Sequence, residues 1–484
     1  MASNTATRLY RFEPSSAAGS TWATSWNDTG GGSNWFLSTW NAGAGQWRTP
    51  IDIASILGFT TPLLTDAFLS WDSAMSRFVL VVLENRTDEL NNVWYCYSND
   101  ADGTSWAVGN GGQPVISSNS TYMWDYPSIG VDASGRIVVG AYLRNSQYSF
   151  WSVVSSNHGS TFTTLNPNSS NNGRIAVASS TSPFRSGRRS RIIATDSKFE
   201  AFMAQETAFA SGIPVVVERY ESTDGVNWSF AETFPSFGAP LNNSDPNKAC
   251  APRGSPCGPI FYAPGVDAKG TSAGAWVMTV PVNYNGYNNV MMCASTRGCG
   301  LVNAGNDDQF MAGTSVSTDG RFWVSYLTYS TLDTRALPLI KQSIFFPYST
   351  GGGVGDTVDT NVDPGYWIPN TNKCLLPCFT SGDSATISSN PYAATSTPYT
   401  KQVPDTSPPS IDESFNHLQQ IFSVDPPGPR PATNFTPNAI WFPPGTKSIV
   451  QFAKPVPSTA LGVIDRVGLK HIVPGAPPIP VANR

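Results

Sequence analysis

The sequence predicts an all-β fold built from repeated hairpin units. In each unit an apolar run meets a tight polar turn, and a second run rich in Val, Tyr, Phe and Trp follows. Five segments share this pattern at spacings of roughly 50–70 residues, which indicates a repeat architecture. They are residues 66–83, 125–142, 191–204, 261–282 and 308–329. Charged residues make up only 13% of the chain beside 42 Gly and 39 Pro, a balance typical of turn-rich β proteins.

Three polar turns recur in the same part of the chain, and each follows a β-rich run. Each begins with Ser, bends at Gly and closes with an aromatic residue; we refer to them as the Ser-Gly-aromatic turns. The first contains Ser98, Asp100 and Trp106, the second Ser155, Asn157, Gly159 and Phe162, and the third Ser222, Asp224 and Trp228. They resemble Asp boxes, the Ser-x-Asp-x-Gly-x-Thr-Trp turns of sialidase-like β-propellers. Asn157 stands where that family has Asp, the first copy is one residue longer and the third is one residue shorter.

The resemblance implies a β-propeller in which these turns join the outer strands of four-stranded blades. In such a turn the carboxylate accepts backbone N–H bonds, so the turns describe architecture and say little about chemistry. A chain of 484 residues suits one propeller. We predict six blades, with seven as the alternative, over residues 1–405. Residues 406–484 are predicted to form a short helix and a Pro-rich extended tail.

Two helices are predicted outside the hairpin units. The first follows Thr49 as N-cap, with Pro50 at its first position and Gly58 just past its end. The second begins at a capping box formed by Ser410 and Glu413. Its apolar residues recur at helical spacing at Ile411, Phe415, Leu418 and Phe422. The Pro-dense tail from Asp425 onward is predicted to lie extended over the propeller or to reach a neighbouring subunit, which gives a homo-oligomer.

The seven cysteines form three close pairs and one remainder. The pairs are Cys250–Cys257, Cys293–Cys299 and Cys374–Cys378, all in loops that contain Gly or Pro. Their spacing and the three His of the chain do not fit a zinc site, so we predict local disulfides, with buried reduced thiols as the alternative. Disulfides indicate an extracellular or cell-surface location. Cys96 lies inside a strand and is predicted to be a small core residue.

Other features bear on location and on the excluded partners. Seven Asn-x-Ser/Thr triplets are candidate glycosylation sites, beginning at Asn27, Asn85, Asn119, Asn168, Asn227, Asn242 and Asn434. The first residues carry no apolar segment of the kind that a signal peptide has. The net charge of −5 gives no basic footprint for nucleic acid, and no apolar run reaches the length of a transmembrane segment.

Arginines are the first candidates for ligand binding. Sialidases of this fold resemble one another in three Arg that grip a carboxylate, a Tyr–Glu nucleophile pair and an Asp acid. Arg48 lies in the nearest match to the first Arg motif, although it also reads as a cation beside a helix start. Four Arg are concentrated in seven residues: Arg185, Arg188, Arg189 and Arg191. Their planar donors suit a carboxylate or sulfate, and a solvated loop or a subunit contact is the alternative.

Other candidates come from loops and turns. Asp125 and Tyr126 enter the second hairpin unit and are predicted to lie at the rim of the propeller mouth. The Glu residues beside Arg219 are expected on the face opposite Tyr220, which argues against a Tyr–Glu pair there. Ser272 matches a nucleophile-elbow pattern but lies in a hairpin turn, where an elbow requires a strand and a helix.

One segment carries oxygen ligands at alternate positions. Asp359, Asn361 and Asp363 resemble the start of a calcium loop, although Gly comes one residue late and no Glu follows at the twelfth position. Asx-turns are the alternative interpretation. A structural calcium ion is therefore the one cofactor considered, and no other is predicted.

The function predicted from these features is glycan or polysaccharide binding, self-assembly, or both, without catalysis. The incomplete Arg set, the few His and the Pro-rich tail favour this interpretation. The alternative is a sialidase-like glycoside hydrolase that acts on an acidic glycan, and a polysaccharide lyase on the same scaffold is a third hypothesis. Fold alone does not decide among them.

Overall fold

The computed structural model describes most of the chain up to residue 363 and short segments beyond it. The described residues are 11–28, 34–41, 43–44, 46–60, 64–84, 86, 91–118, 123–143, 149–165, 173–177, 184–186, 190–196, 198–207, 216–234, 266–270, 274–284, 287–295, 298–302, 307–316, 322–330, 339–345, 357–363, 388–389, 394–397, 401–402, 414–415 and 420–423.

The described chain folds into successive antiparallel sheets, each formed from consecutive strands. The N-terminal sheet contains β1 (Arg11–Ala18), β2 (Trp22–Asp28), β3 (Asn34–Asn41), β4 (Gln46–Trp47) and β5 (Ile51–Asp52). Helix α1 (Ile53–Leu57) follows it. The second sheet contains β6 (Leu64–Asp72), β7 (Arg77–Glu84), β8 (Asn92–Ser98) and β9 (Trp106–Val108), and the third β10 (Trp124–Val131), β11 (Ile137–Leu143), β12 (Ser149–Ser155) and β13 (Arg174–Val177). A single 3-10 turn, Asn110–Gly112, lies between these two sheets.

The next three sheets repeat the arrangement. The fourth contains β14 (Phe184–Ser186), β15 (Arg191–Thr195), β16 (Lys198–Thr207), β17 (Val216–Ser222) and β18 (Ser229–Thr233). The fifth contains β19 (Asp267–Gly270), β20 (Trp276–Tyr284), β21 (Tyr287–Ala294) and β22 (Gly298–Leu301), and the sixth β23 (Asp307–Val316), β24 (Phe322–Ser330), β25 (Leu339–Phe345) and β26 (Thr357–Asp363). Short strands complete the described chain: β27 (Ser388–Ser389), β28 (Ala394–Thr397), β29 (Lys401–Gln402), β30 (Ser414–Phe415) and β31 (Gln420–Ser423).

The sheets are arranged as a β-propeller. Their first strands lie side by side in the order β1, β6, β10, β15, β19, β23, and β27 contacts both β23 and β1, so the two ends of the series meet. The second to sixth sheets are complete blades with four strand positions that follow one another as a meander; in the fourth sheet β14 and β15 both pair with β16 and share the first position. The prediction of six or seven complete blades is therefore corrected to five within the described residues.

The N-terminal sheet departs from the meander at its outer edge, where β4 and β5 both pair with β3. Pro50 lies between these two short strands, and proline cannot donate a backbone hydrogen bond to a continuing ladder. The sheet of β27, β28 and β31 has three strands. Within the described residues, neither sheet is a complete four-stranded blade.

Both helix predictions require correction. Helix α1 exists, and Gly58 ends it with a φ of 72°, as predicted. Its N-cap is Asp52 and not Thr49, because Ile51 still pairs with Leu37 and the chain stays extended until Asp52. Asp52 Oδ1 accepts a hydrogen bond from the Ala54 N–H at 2.9 Å.

The second predicted helix is wrong in the described part of its segment. Ile421 lies in β31 and pairs with Ser396 of β28, and residues 414–415 form β30. Apolar residues at helical spacing in a short window do not distinguish helix from strand when a partner strand is available. The tail from Asp425 lies outside the described residues, so its predicted role in assembly stays a prediction.

Aromatic and aliphatic side chains fill the spaces between successive sheets. Trp35 lies in the cluster between the first and second sheets, Trp124 between the second and third, and Phe150 between the third and fourth. Phe202 and Tyr326 do the same between the later sheets. All five are at most 2% exposed. Burying a large ring contributes about 2–3 kcal/mol, so blade-to-blade packing uses much of the aromatic surplus.

The three Ser-Gly-aromatic turns all join the third strand of a blade to the segment that leads to the fourth. Ser155 Oγ accepts a hydrogen bond from the Gly159 N–H and Ser222 Oγ one from the Gly225 N–H, both at 2.8 Å. In the first turn Asp100 Oδ1 accepts from the Thr104 N–H at 2.9 Å. The turns therefore have the carboxylate- and hydroxyl-bonded geometry that the resemblance implied, while their assignment to a named repeat stays a resemblance.

Asp224 provides a test of this geometry through acid stability. Burial raises the pKa of Asp224, but hydrogen bonds from the Asn227 N–H and side chain and from the Val226 N–H outweigh it and lower that pKa to about 2. A lowered folded-state pKa stabilises the protein above the unfolded value of about 3.9, and the contribution is lost as pH falls toward 2. We expect Asp224→Asn to reduce the fall in melting temperature between pH 5 and pH 2.

Asn157 supplies the matched control, because its Oδ1 already accepts the equivalent bond from the Thr161 N–H at 3.0 Å without titrating. Asn157→Asp should therefore add acid sensitivity where Asp224→Asn removes it. Melting curves of Asp224→Asn that run parallel to those of the unchanged protein over this pH range would contradict the assignment.

One predicted disulfide is present. Cys293 and Cys299 are bonded, with their Cα atoms 4.0 Å apart across β21 and β22. The other two predicted pairs lie outside the described residues. Cys96 is fully buried and unbonded, as predicted. No helix in the described ranges has the length and apolar character needed to cross a membrane.

Candidate functional site: the central channel

The first strands of the sheets surround a central channel that contains a cavity of about 210 Å³. Residues of β1, β6, β10, β15, β19 and β23 line it, which places it on the propeller axis. Its wall is mostly small or apolar. Three charged side chains line it: Arg191, Asp267 and Lys269.

Arg191 crosses the channel from the fourth sheet. Its Nε lies 3.1 Å from Asp267 Oδ1 of the fifth sheet, and its guanidinium carbon lies 4.0 Å from the ring centre of Phe68 in the second sheet. The side chains of Arg191 and Asp267 are only 6% and 4% exposed. The second carboxylate oxygen of Asp267 accepts the Thr314 N–H at 2.7 Å. A buried charge-assisted pair beside an aromatic ring therefore links the second, fourth and fifth sheets across the channel at this level.

Side chains at equivalent places hold the first strands of neighbouring sheets together. Ser15 of β1, Ser128 of β10 and Asp267 of β19 each accept a backbone N–H from the next first strand, at 3.0, 2.9 and 2.7 Å. These bonds satisfy backbone donors that face the channel and would otherwise be buried without a partner. The wall of the channel is thus held by hydrogen bonds between neighbouring sheets, and the bonded residues lie 47 to 64 positions apart in the sequence.

The upper end of the channel, where the first strands begin, has a distorted backbone. Asp66 has a φ of 50° and Tyr126 a φ of 44°, and in each strand the pairing register shifts at this point. Positive φ is uncommon for residues other than Gly and is unfavourable for a bulky one such as Tyr. A bulge of this kind re-aims a side chain, and backbone outliers of this kind motivate a hypothesis of function.

Asp125 and Tyr126 lie at this end, consistent with their predicted place at the mouth. The Tyr126 N–H donates to Asp125 Oδ1 at 3.0 Å, and both residues are partly buried. We refer to Asp66, Asp125 and Tyr126 as the rim. Ligand binding by Asp125 and Tyr126 stays a prediction.

The predicted arginines do not gather in one place. Arg48 follows β4 at the outer edge of the N-terminal sheet, and its Nη2 lies 3.3 Å from Asp102 in the first Ser-Gly-aromatic turn. Arg185 lies in β14 opposite Glu206. Arg188 and Arg189 lie outside the described residues. Only Arg191 is placed in the channel, so a triple Arg grip is not brought together by the residues described.

A Tyr–Glu pair exists where the sequence analysis argued against one. Tyr220 Oη donates to Glu218 Oε2 at 2.7 Å on β17. Burial raises the pKa of Tyr220, and the hydrogen bond and charge of Glu218 raise it further. The expectation was wrong because residues two apart on a strand share a face, so strand alternation should have predicted the pair. It lies on the third strand of the blade, however, and not on the channel wall.

Arg219, on the opposite face of the same strand, holds three carboxylates. Its Nη1 lies 2.8 Å from Glu200 and 2.5 Å from Glu221, and its Nε lies 2.7 Å from Glu232. Burial lowers the pKa of Arg219, but the bonds and charges of these partners raise it overall. The guanidinium also lies 5.4 Å from the Trp276 ring of the fifth sheet. These contacts join neighbouring strands of the fourth sheet to one another and to the fifth sheet. The three Glu residues therefore have a structural role as partners of Arg219.

The candidate calcium ligands lie on an outer strand. Asp359, Asn361 and Asp363 belong to β26, which pairs with β25. Within the described part of the chain no group of three or more His, Cys, Asp or Glu is arranged to hold a metal ion. Calcium binding at these three residues stays a prediction.

Comparisons with known proteins give structural likeness only. No protein-family model matches the chain, and no curated protein matches it. An ulvan lyase of polysaccharide lyase family PL25 is similar at 10% identity and a TM-score of 0.44, covering 87% of this chain and 94% of its own. The intramolecular trans-sialidase of Ruminococcus gnavus gives 12% identity, a TM-score of 0.41 and coverage of 69% and 94%. The α-L-arabinanase of Penicillium chrysogenum is similar at 12% identity and a TM-score of 0.37, covering 58% of this chain and 76% of its own. Likeness at this level carries no conclusion about activity.

Proposed function

We propose that this protein is a glycan-binding β-propeller without catalytic activity, and that it binds its ligand at the rim. The observation that carries the proposal is that Arg191, the charged group next to the rim, is already bound to Asp267 and Phe68 across the channel. Because Arg191 and Asp267 pair with each other below the rim, a ligand that enters from the upper end has the rim as its first contact surface. Arg191, the channel arginine nearest to such a ligand, already forms an ion pair with Asp267.

The rim has the chemistry that sugars require. The partly exposed carboxylate of Asp125 can accept hydrogen bonds from sugar hydroxyls, and the ring of Tyr126 can present an apolar face to sugar C–H groups. The strained backbone at Asp66 and Tyr126 indicates that these side chains are held in fixed positions at some energetic cost. A held side chain loses less conformational freedom when a ligand binds.

The second candidate is a sialidase-like glycoside hydrolase, which the Tyr220–Glu218 hydrogen bond favours. Its position weighs against it, since β17 is the third strand of its blade and β15 is the one that reaches the channel. A fluorogenic sialoside separates the two candidates. Turnover that is lost in Glu218→Gln and retained in Glu232→Gln would replace the binding proposal with the hydrolase.

We also propose that the protein works outside the cell and assembles into homo-oligomers through its C-terminal tail. The Cys293–Cys299 disulfide supports the first statement, because such bonds persist in oxidising compartments. The second rests on the Pro-rich sequence beyond Asp425. A particle mass in solution above the 51.9 kDa of one chain, reduced to one chain by removing that tail, tests it.

Tyr126 separates binding from stability. At an ordinary strand position Ala is more stable than Gly by about 0.5–1 kcal/mol, whereas at positive φ the order reverses by about 1 kcal/mol. We therefore expect Tyr126→Gly to unfold at a higher urea concentration than Tyr126→Ala, while both lose retention on a glycan array. Phe230→Ala is the control, because this ring is 56% exposed on the outer strand β18.

Two outcomes would contradict the proposal at different points. If Tyr126→Ala is the more stable of the two, the backbone at this position is not strained. If both Tyr126 variants bind glycans as well as Phe230→Ala does, the rim is not the binding surface, whatever the stability order.

A further inference from the structure

Lys269 is the one charged side chain on the channel wall without a partner among the residues described. It follows Asp267 by two positions on β19 and lines the same cavity. Arg191 and Asp267 neutralise one another at 3.1 Å, and both oxygens of Asp267 are in use. No hydrogen bond or ion pair to Lys269 exists within the described part of the chain. The described part of the cavity wall therefore carries one positive charge that no paired carboxylate balances.

A cation in such a place is costly, because lining a partly enclosed cavity removes part of its hydration and no opposite charge bonds to it there. Burial lowers the pKa of Lys269; the charge of Asp267 raises it and that of Arg191 lowers it again, with a lowered value as the result. Among the residues whose side chains the structure describes, the lining from β1, β6, β10 and β23 includes no titratable side chain. A negative ligand in the cavity would thus be the group that balances Lys269.

The cavity lies at the end of the channel opposite the rim. Its lining comes from the later residues of the first strands, such as Ala18 of β1, Trp71 of β6 and Val131 of β10. The third strand of each blade runs parallel in direction to the first, so this lower end is also the end of the Ser-Gly-aromatic turns. A ligand here would not compete with one at the rim.

We propose that the lower half of the channel binds a small oxyanion, sulfate or phosphate, and that Lys269 is its charged contact. Ser70 lines the cavity two residues after Phe68, as Lys269 does after Asp267, and its hydroxyl is available as a second donor. The volume of about 210 Å³ far exceeds the roughly 15 Å³ that one water needs but lies below the roughly 300 Å³ typical of organic-ligand pockets. This oxyanion site is distinct from the glycan site proposed at the rim, and its test does not depend on glycan binding.

The first test is thermal unfolding of the full chain in sodium sulfate, with sodium chloride at matched ionic strength as reference. Sulfate stabilises proteins generally by exclusion from their surface, and that effect does not saturate. We expect an additional, saturating rise in melting temperature that follows ligand linkage. Lys269→Met should remove it, and should melt no lower than the unchanged protein when sulfate is absent. Lys198→Met is the control, since Lys198 is exposed and bonded to Glu221.

The saturating rise should also weaken as pH increases through the lowered pKa of Lys269, because only the charged amine attracts an anion. Glucose 6-sulfate and glucose distinguish the source of the oxyanion. Stabilisation by inorganic sulfate alone identifies a free ion, and equal stabilisation by glucose 6-sulfate identifies a sulfate ester carried by a sugar.

An equal saturating rise in Lys269→Met and in the unchanged protein would overturn the proposal. If Lys269→Met does not fold, selenate soaked into crystals of the unchanged protein decides the matter by its anomalous signal. A selenate ion with an oxygen within hydrogen-bond distance of Lys269 Nζ supports the site, and selenate bound only elsewhere refutes it. The two proposals are tested independently. If the Tyr126 variants retain glycans while the unchanged protein binds sulfate through Lys269, only the proposal of glycan binding at the rim fails.

Discussion

Replacing Asp267 by alanine is expected to lower the free energy of unfolding by about 3–5 kcal/mol, the cost of leaving one member of a buried ion pair without its partner. Arg191 would keep its charge, because a guanidinium does not deprotonate in proteins, and its side chain is only 6% exposed. The Thr314 N–H would lose its acceptor as well. Urea unfolding followed by tryptophan fluorescence measures the loss.

Two further variants separate the charge from the hydrogen bond. Asp267→Asn keeps an acceptor for the Thr314 N–H but removes the charge, so we expect a smaller loss than in Asp267→Ala. Adding Arg191→Met to Asp267→Asn removes the stranded cation and should recover part of the stability. Additive losses in the double variant would show that the two side chains are not coupled and that the channel is not closed by their pairing.

The hairpin units show which parts of the fold local sequence can predict. All five predicted segments contain the first and second strands of a blade; residues 66–83, for example, fall in β6 and β7. A strand–turn–strand unit is specified by side-chain alternation and by turn residues a few positions apart. The Cys293–Cys299 disulfide was predictable for the same reason, since its two residues lie six apart.

The channel could not be predicted in this way. Arg191 and Asp267 are 76 residues apart, and their pairing depends on how far each blade is rotated about the axis. Nothing near Lys269 in sequence indicates that it lines a cavity. The cluster of four Arg drew attention to Arg191, but for a ligand contact, whereas the structure places it in a buried pair. The Tyr220–Glu218 bond, by contrast, is predictable from strand alternation, because residues two apart on a strand share a face.

The blade count depended on the ends of the chain, where local patterns conflict with long-range pairing. Thr49 and Pro50 have the residue types of a helix start, yet β5 extends through Asp52 because β3 offers it a partner. Phe422 has helical spacing with its apolar neighbours and still pairs in β31 with Thr395. In both cases an available strand edge decided a segment whose own preference was weak.

Gly159→Ala is the second change for which we expect a large effect, a loss of about 2–5 kcal/mol in the free energy of unfolding. Gly159 lies in the second Ser-Gly-aromatic turn with a φ of 80°, a backbone conformation that costs a residue with a Cβ atom about 1–2 kcal/mol. An added Cβ would also lie 2.3 Å from a ring carbon of Tyr95, whose side chain is fully buried between the second and third sheets. Overpacking of this kind costs about 1–3 kcal/mol more.

Gly112→Ala isolates the backbone contribution, because Gly112 has a φ of 79° and no atom lies within 4 Å of the place that an added methyl group would occupy. The difference between the two variants in urea unfolding therefore measures the contact of the turn with Tyr95. Tyr95→Leu should shrink that difference by making room for the methyl group, since Leu lacks the ring. Equal losses for Gly159→Ala and Gly112→Ala would mean that the turn moves away freely, and that the second and third blades are not locked together at this end of the propeller.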